Sequence, residues 1–163
     1  MIARTPTGTY GRAVSPTPQQ PARACAAAPV RRWDVVDHAL TRRALLREVM
    51  GGRRSTTEVC DASPYLQRSA KEWGARTERR CPVCRRAPVW EISWVFGDGL
   101  GDGSGTARSG RGVALLAAHR PDFDVYEVEV CLDCGWNHLL RTFRTGTLGA
   151  PPARRSRERR PDL

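Results

Sequence analysis

Two stretches decide the fold of this 163-residue chain, Cys81-Pro82-Val83-Cys84 and Cys131-Leu132-Asp133-Cys134. Each is a C-x-x-C turn, in which two intervening residues let both sulfurs face one cation while backbone N–H groups point toward the sulfurs. A zinc ion takes four soft ligands in a tetrahedron at about 2.3 Å, and two such turns supply them. The sequence therefore predicts one zinc ion (Zn2+) with these ligands: Cys81, Cys84, Cys131 and Cys134.

The spacing between the two turns is unusual for a zinc site. Zinc patterns commonly place about 12–20 residues between the cysteine pairs, whereas residues 85–130 separate them here. Two longer strands and a loop account for the insertion. The alternatives are a redox dithiol or two unrelated pairs, but neither turn opens a helix in a βαβ pattern. Four cysteines close the coordination shell, which is typical of structural rather than catalytic zinc.

The segments that flank the turns read as strands. Residues 89–96 alternate Trp, Ile, Trp and Phe with smaller or polar residues, and 123–130 repeat this period of two, which marks strands. A third strand is predicted over 137–145. A Gly-rich loop at 97–112, read as a hairpin insertion, and a short helix at 113–119 complete this part.

The residues that precede the first turn carry helical signals. Asp34 is placed as the cap of a first helix over 34–50. Ser55 and Ser63 offer two helix starts within a second helical region, 56–74. The predicted fold is therefore α+β, with N-terminal helices packed on a small three-stranded antiparallel zinc ribbon.

Composition divides the chain into three parts. Residues 1–30 are rich in Pro, Ala, Thr and Gln, and such a segment buries too little apolar surface to order itself. They are predicted to be a disordered extension, residues 150–163 a disordered basic tail, and 31–149 the folded domain. The abrupt change near Val30 also raises the hypothesis that translation starts there.

The charge balance is basic. The chain has 27 basic and 17 acidic residues, a net charge of +10, and all but one of the basic residues are arginine. Such a chain attracts polyanions without specifying one. We find neither a signal peptide nor an apolar run of the ~20 residues that cross a bilayer. We therefore expect a cytoplasmic protein without a membrane partner, where paired cysteines more often bind metal than form disulfides.

Several other features have two interpretations. Trp90, Trp94 and Phe96 share a strand face that can stack bases or form core, and core is favoured. The segment 56–68 loosely resembles a helix-turn-helix, but a helical pair packed on the ribbon is favoured. Cys60 is read as a small buried apolar residue.

Several phrases of the sequence are together specific. They are 36–40 (VDHAL), 58–66 (EVCDASPYL), 81–84 (CPVC), 93–98 (SWVFGD), 128–131 (VEVC) and 136–139 (WNHL). On these phrases, residues 31–146 resemble a short actinobacterial family of unknown function with two C-x-x-C pairs. The resemblance implies a single zinc-ribbon-like domain and no particular activity.

The predicted function is that of a non-catalytic zinc-binding module. No nucleophile–base or paired-carboxylate pattern stands out, so neither enzymatic activity nor a small-molecule substrate is expected. Ribbons and basic chains commonly contact nucleic acid, which favours a partner in nucleic acid or in the transcription or translation machinery. The alternatives are a protein–protein adaptor whose zinc is purely structural, and a zinc- or thiol-responsive regulator.

Overall fold

The structure is a computed structural model that describes residues 30–148. Apart from Val30, the segments predicted to be disordered, 1–30 and 150–163, lie outside the described residues, and the domain limits at 31 and 149 stay a prediction. In chain order, the elements are β1 (Trp33–Asp37), α1 (Ala39–Met50), α2 (Thr56–Val59), α3 (Pro64–Trp73), β2 (Ala75–Arg80), β3 (Pro88–Phe96), β4 (Thr106–Arg108), α4 (Gly110–His119), β5 (Phe123–Val130) and β6 (Asn137–Thr145). A 3-10 segment, Asp98–Gly103, lies between β3 and β4.

The strands form one six-stranded antiparallel sheet. Its order is β1-β6-β5-β3-β2, and β4 pairs with the part of β3 that β2 leaves free. The α+β class is confirmed, but the three-stranded ribbon is wrong. The three predicted strands are β3, β5 and β6, which form the middle of the sheet, and three strands that the sequence analysis missed extend it on both sides.

The predicted helix over 34–50 is wrong in its first third. Trp33–Asp37 forms a strand that pairs with β6, and α1 begins only at Ala39. Two consecutive β-branched valines favour a strand, and the free edge of β6 supplies backbone partners. Asp34 has a left-handed backbone, with φ of 50°, so it caps nothing. Asp37 lies beside the true helix start, where its Oδ1 accepts a hydrogen bond from the Ala39 N–H at 2.6 Å.

The other two missed strands lie along one edge of β3. Strand β2 is almost wholly polar and exposed, because an edge strand needs only backbone pairing and charged residues protect such an edge. Strand β4 is three residues long and lies inside the predicted Gly-rich loop, where Thr106 pairs with Val95. Neither strand has the alternation by which strands are recognised.

Serine caps begin three helices. The Ser55 hydroxyl accepts a hydrogen bond from the Thr57 N–H at 3.1 Å, and the Ser63 hydroxyl accepts one from the Leu66 N–H at 3.2 Å. The predicted helical region 56–74 is therefore two helices, as its two start signals indicated. Ser109 caps α4, which begins three residues before its predicted start. None of the helices within residues 30–148 has the length and apolar character needed to cross a bilayer.

Helices cover both faces of the sheet. Because side chains alternate across a strand, Val89 and Val95 of β3 point to one face and Ile92 points to the other. Helix α1 packs on the first face at the cysteine end, α4 packs on it at the opposite end, and α3 packs on the second face around Ile92. This arrangement leaves part of the second face open.

Candidate metal centre

Each C-x-x-C turn forms the tip of a β-hairpin. The first turn joins β2 to β3, and the second joins β5 to β6. Strands β3 and β5 are antiparallel neighbours, and Trp90 at the beginning of β3 pairs with Val130 at the end of β5. This register brings both tips to the same end of the sheet. Within the long insertion between the cysteine pairs, β3 and β5 therefore form an antiparallel ladder. This ladder brings the second turn back beside the first.

The structure brings the four predicted cysteines together. Their sulfurs all lie within 4.8 Å of one another, with 3.6 Å between Cys81 and Cys134 and 3.7 Å between Cys84 and Cys131. A tetrahedron with metal–sulfur bonds of about 2.3 Å has edges of about 3.8 Å, so the spacing fits a metal ion. Cys81 and Cys131 are buried, and the other two are half-buried.

The two turns share one backbone design. In the first, the Arg85 N–H donates to the Cys81 carbonyl at 3.0 Å, and in the second the Gly135 N–H donates to the Cys131 carbonyl at 3.0 Å. Both donor residues have left-handed backbones, with φ of 57° and 82°. A Cβ at Gly135 would lie 2.9 Å from the Cys60 carbonyl oxygen, so both conformation and space require glycine there.

The environment of the thiols differs across the cluster. Burial opposes ionisation of Cys84, but hydrogen bonds from the backbone N–H groups of Ala87 and Arg86 lower its pKa to about 6. Burial raises the pKa of Cys81, and it raises that of Cys134 to about 12. Cys81 and Cys134 therefore stay protonated at neutral pH unless a cation displaces their protons.

A buried carboxylate, Glu129, accepts a hydrogen bond from Trp136 next to the second hairpin tip. Glu129 is fully buried and binds Arg42 Nε at 2.5 Å, Arg79 Nη1 at 3.3 Å and the indole N–H of Trp136 at 2.9 Å. Trp136 packs in the same cluster as Cys81 and Cys131, and Cys60, Cys84 and Cys134 pack against this cluster. Glu129 has no sequence signal of burial, because glutamates that alternate with valines indicate a solvent-facing side. Here that side is covered by α1.

A fifth cysteine lies beside the cluster. The sulfur of Cys60, at the end of α2, is 3.7 Å from that of Cys134 but stands outside the group of four. It is half-buried, and nothing in the sequence spacing connected it with the turns. His138 is not among the clustered ligands. Its ring stacks on Trp136 at 5.9 Å, and burial lowers its pKa.

An aromatic groove occupies the open part of the second sheet face. It has a volume of about 410 Å³, and its lining residues are Trp94, Phe96, Tyr126, Val128 and Leu139. The Phe96 and Tyr126 rings meet edge to face at 5.1 Å, and each side chain is about two-fifths exposed, at 41% and 38%. Trp94 is partly buried under α3, as expected for a core residue, whereas Phe96 is exposed.

A second cleft adjoins this groove between α3 and β4. Tyr65 connects the two, since its ring lies 5.5 Å from that of Trp94. The cleft also has a volume of about 410 Å³, and Arg68, Trp73 and Arg108 line it. Among residues 30–148, neither of these arginines takes part in a salt bridge, and Arg108 Nε is buried without a hydrogen-bond partner. The groove and the cleft together form what we call the aromatic face.

Comparison with known proteins agrees with the resemblance seen in the sequence. Residues 30–160 match the family described as "Family of unknown function (DUF5318)". Uncharacterized protein Rv0049 of Mycobacterium tuberculosis and uncharacterized protein Mb0050 of Mycobacterium bovis are each 47% identical to this chain over 119 residues, which is 73% of this chain and 85% of the relative. No solved structure matches significantly. The expected relationship to an actinobacterial family is thus confirmed, and the chain belongs to the DUF5318 family of unknown function.

Proposed function

We propose that this protein is a non-catalytic module in which one zinc ion joins two hairpin tips and the aromatic face binds single-stranded nucleic acid. The observation that carries the zinc assignment is the convergence of four sulfurs within 4.8 Å of one another, from turns far apart in sequence. Four thiolates suit zinc, and they leave no position open for a water or a substrate. The metal is therefore structural, and function belongs to a surface.

Nucleic acid is the partner that the aromatic face fits best. Bases stack on aromatic side chains whatever their identity, and arginines nearby bind the backbone phosphates. The face offers two pairs of neighbouring rings, Tyr65 with Trp94 and Phe96 with Tyr126. Arg68 is exposed and lines the adjoining cleft, and it forms no salt bridge within residues 30–148. A chain with net charge +10 adds long-range attraction.

Oligonucleotide binding tests this proposal. Zinc-loaded full-length protein is titrated with fluorescent single-stranded DNA and RNA of mixed sequence, at several salt concentrations. We expect an affinity that falls steeply as salt rises. Tyr126→Ala removes a stacking surface and weakens binding by about 1–3 kcal/mol. Arg68→Gln removes an exposed cation of the cleft and reduces both the affinity and the salt slope.

Leu115→Ala is the matched control. Leu115 is an exposed apolar residue of α4, away from the aromatic face, so its truncation leaves oligonucleotide affinity unchanged. Equal losses in Leu115→Ala and Tyr126→Ala, or no binding by the wild-type protein at low salt, would contradict the proposed partner. These results would leave the zinc assignment unchanged, because it depends on the four clustered cysteines and not on the aromatic face.

A protein–protein adaptor is the second candidate. Val128 and Leu139 make one side of the groove purely aliphatic, and Glu72 places an acidic group in the cleft. The aliphatic side suits an apolar segment of a protein, and the carboxylate of Glu72 repels a phosphate backbone. A complex that survives high salt and is lost in Leu139→Ala, together with absent oligonucleotide binding, would favour the adaptor.

A further inference from the structure

Cys60 is placed to react with the metal centre. Its sulfur is 3.7 Å from that of Cys134, and a disulfide bond of about 2.05 Å therefore requires an approach of under about 2 Å. The backbone holds Cys60 in this position. Its carbonyl oxygen packs on Gly135, and the Ala62 N–H donates to the Gly135 carbonyl at 2.9 Å.

A surface cavity gives solvent access to the same two sulfurs. It has a volume of about 410 Å³, and its lining residues are Thr56, Thr57, Cys60, Val83, Cys84 and Cys134. The remaining ligands, Cys81 and Cys131, are 1% and 0% exposed. A small oxidant that enters this cavity therefore meets Cys60, Cys84 and Cys134 before the buried half of the cluster. Of the two ligands among them, Cys134 is the one with the Cys60 sulfur beside it, at 3.7 Å.

We propose that Cys60 and Cys134 form an oxidation site, in which a peroxide converts the pair to a disulfide and thereby releases the zinc ion. This inference rests on the proposed zinc site, which it extends by naming the regulated ligand and the thiol that reacts with it. Losing Cys134 leaves three ligands, of which Cys131 alone belongs to the second hairpin tip. The remaining sulfurs then bind zinc more weakly.

The chemistry balances without a further co-reactant. The Cys134 thiolate attacks one oxygen of hydrogen peroxide, which breaks the O–O bond and gives a sulfenic acid and hydroxide. The Cys60 thiol then attacks this sulfur, the S–S bond forms, and the hydroxyl leaves with the thiol proton as water. The two sulfurs lose two electrons, and the peroxide gains them.

Zinc release during peroxide treatment tests the inference. The protein is the full chain with Cys25→Ser, because Cys25 lies outside the described residues and would complicate the mapping. A metal-sensitive dye follows the released zinc, and peptide mapping of alkylated protein identifies the disulfides. We expect one zinc released with a Cys60–Cys134 disulfide, and release slowed on the order of tenfold in Cys60→Ser, which lacks the second thiol.

Two controls make the result specific. Thr57→Ala changes the same cavity without touching a sulfur, so its release rate matches that of the parent. Cys60→Ser binds the same amount of zinc before oxidation, because Cys60 is outside the four-cysteine group. Release at the parent rate in Cys60→Ser, or disulfides only within Cys81–Cys84 and Cys131–Cys134, would overturn the inference.

The test separates this inference from the zinc proposal. A chain purified folded and without zinc contradicts the zinc assignment, and the mapped disulfide then decides the Cys60–Cys134 pairing by itself. A chain that holds zinc but releases it independently of Cys60 leaves the zinc site intact and overturns the oxidation site.

Discussion

The two hairpin tips contain the same turn with the same closing hydrogen bond, but the fold surrounds them differently. The second tip is anchored by Trp136, which is fully buried and donates a hydrogen bond to Glu129. It is also tied to the α2–α3 connection, where Asn137 Nδ2 donates to Asp61 Oδ1 at 2.9 Å. The first tip follows the polar edge strand β2, and Arg85 and Arg86 beside it are exposed.

This difference indicates what holds each tip. Packing and a buried hydrogen-bond network organise the second tip even before metal binds. The first tip also contributes Val83 and Ala87 to the cluster around Trp136, and an exposed ion pair from Arg86 to Asp133 of the second turn joins the two tips at 2.9 Å. Because the turn arginines of the first tip are exposed, we expect the metal to add more to the order of this tip than to that of the second.

The largest effect is expected from removing a ligand in either turn. Cys84→Ser and Cys131→Ser both lose stoichiometric zinc, and with it a contribution on the order of 10 kcal/mol. That loss matches the whole stability of a typical domain, about 5–15 kcal/mol, so neither variant shows cooperative thermal unfolding. Zinc analysis and calorimetry check this. A variant that keeps both the zinc ion and a sharp unfolding transition would contradict the structural role of the metal.

The next effect compares the buried carboxylate of the second hairpin with a more exposed one of the first hairpin that shares its partner Arg79. Glu129→Gln leaves Arg42 without its buried counter-charge and lowers the free energy of unfolding by about 3–5 kcal/mol. Glu91→Gln is the matched control on the first hairpin, because Glu91 pairs with Arg79 near the surface. It costs at most about 1 kcal/mol. Urea denaturation of both zinc-loaded variants measures the difference. Equal losses in the free energy of unfolding would show that the buried network stabilises the fold no more than the surface ion pair does.

The residue that closes each turn gives a smaller and opposite pair of effects. Gly135→Ala meets both a left-handed backbone and the Cys60 carbonyl, and it destabilises by at least about 1–2 kcal/mol. Arg85→Gly relieves the same left-handed strain, and it stabilises by up to about 1 kcal/mol after the greater chain entropy of glycine is subtracted. Thermal shifts of opposite sign are expected, and shifts of the same sign would contradict the shared turn design.

The smallest effect is a pH dependence at the second tip. Burial lowers the pKa of His138 in the folded chain, so the unfolded chain takes up the proton first as the pH falls. Stability from neutral His138 is fully present above its ordinary pKa of about 6.5 and decreases as the pH falls below it. His138→Gln removes this part of the slope. Urea midpoints from pH 7.5 to 5.5 compare the two proteins, and identical slopes would contradict the assignment.

The sequence predicts the centre of this fold better than its edges. Strands β3 and β5 are found where alternating apolar residues place them, because central strands pack side chains against the core. Strand β6 occupies the predicted residues 137–145. Ser55 and Ser63 are found as helix caps because capping uses local chemistry. Strand β2 escapes prediction because an edge strand is held by backbone hydrogen bonds, which leave no pattern in its polar side chains.

The candidate site divides in the same way. The four clustered cysteines follow from the spacing of two short turns, which is a local signal. The fifth cysteine and Glu129 do not, since Cys60 reaches the cluster only because α2 folds against Gly135, and Glu129 is buried only because α1 covers it. Both positions depend on tertiary contacts between segments far apart in the chain.

Zinc content is the most direct test of the account. Native and denaturing mass spectrometry of the purified full-length protein is compared with that of Cys81→Ser/Cys131→Ser, which removes one ligand from each hairpin tip. We expect one zinc per wild-type chain under native conditions, no zinc after denaturation, and an unfolded, zinc-free variant. A wild-type chain that is folded without any metal would contradict it, and the four cysteines would then be packing or redox groups.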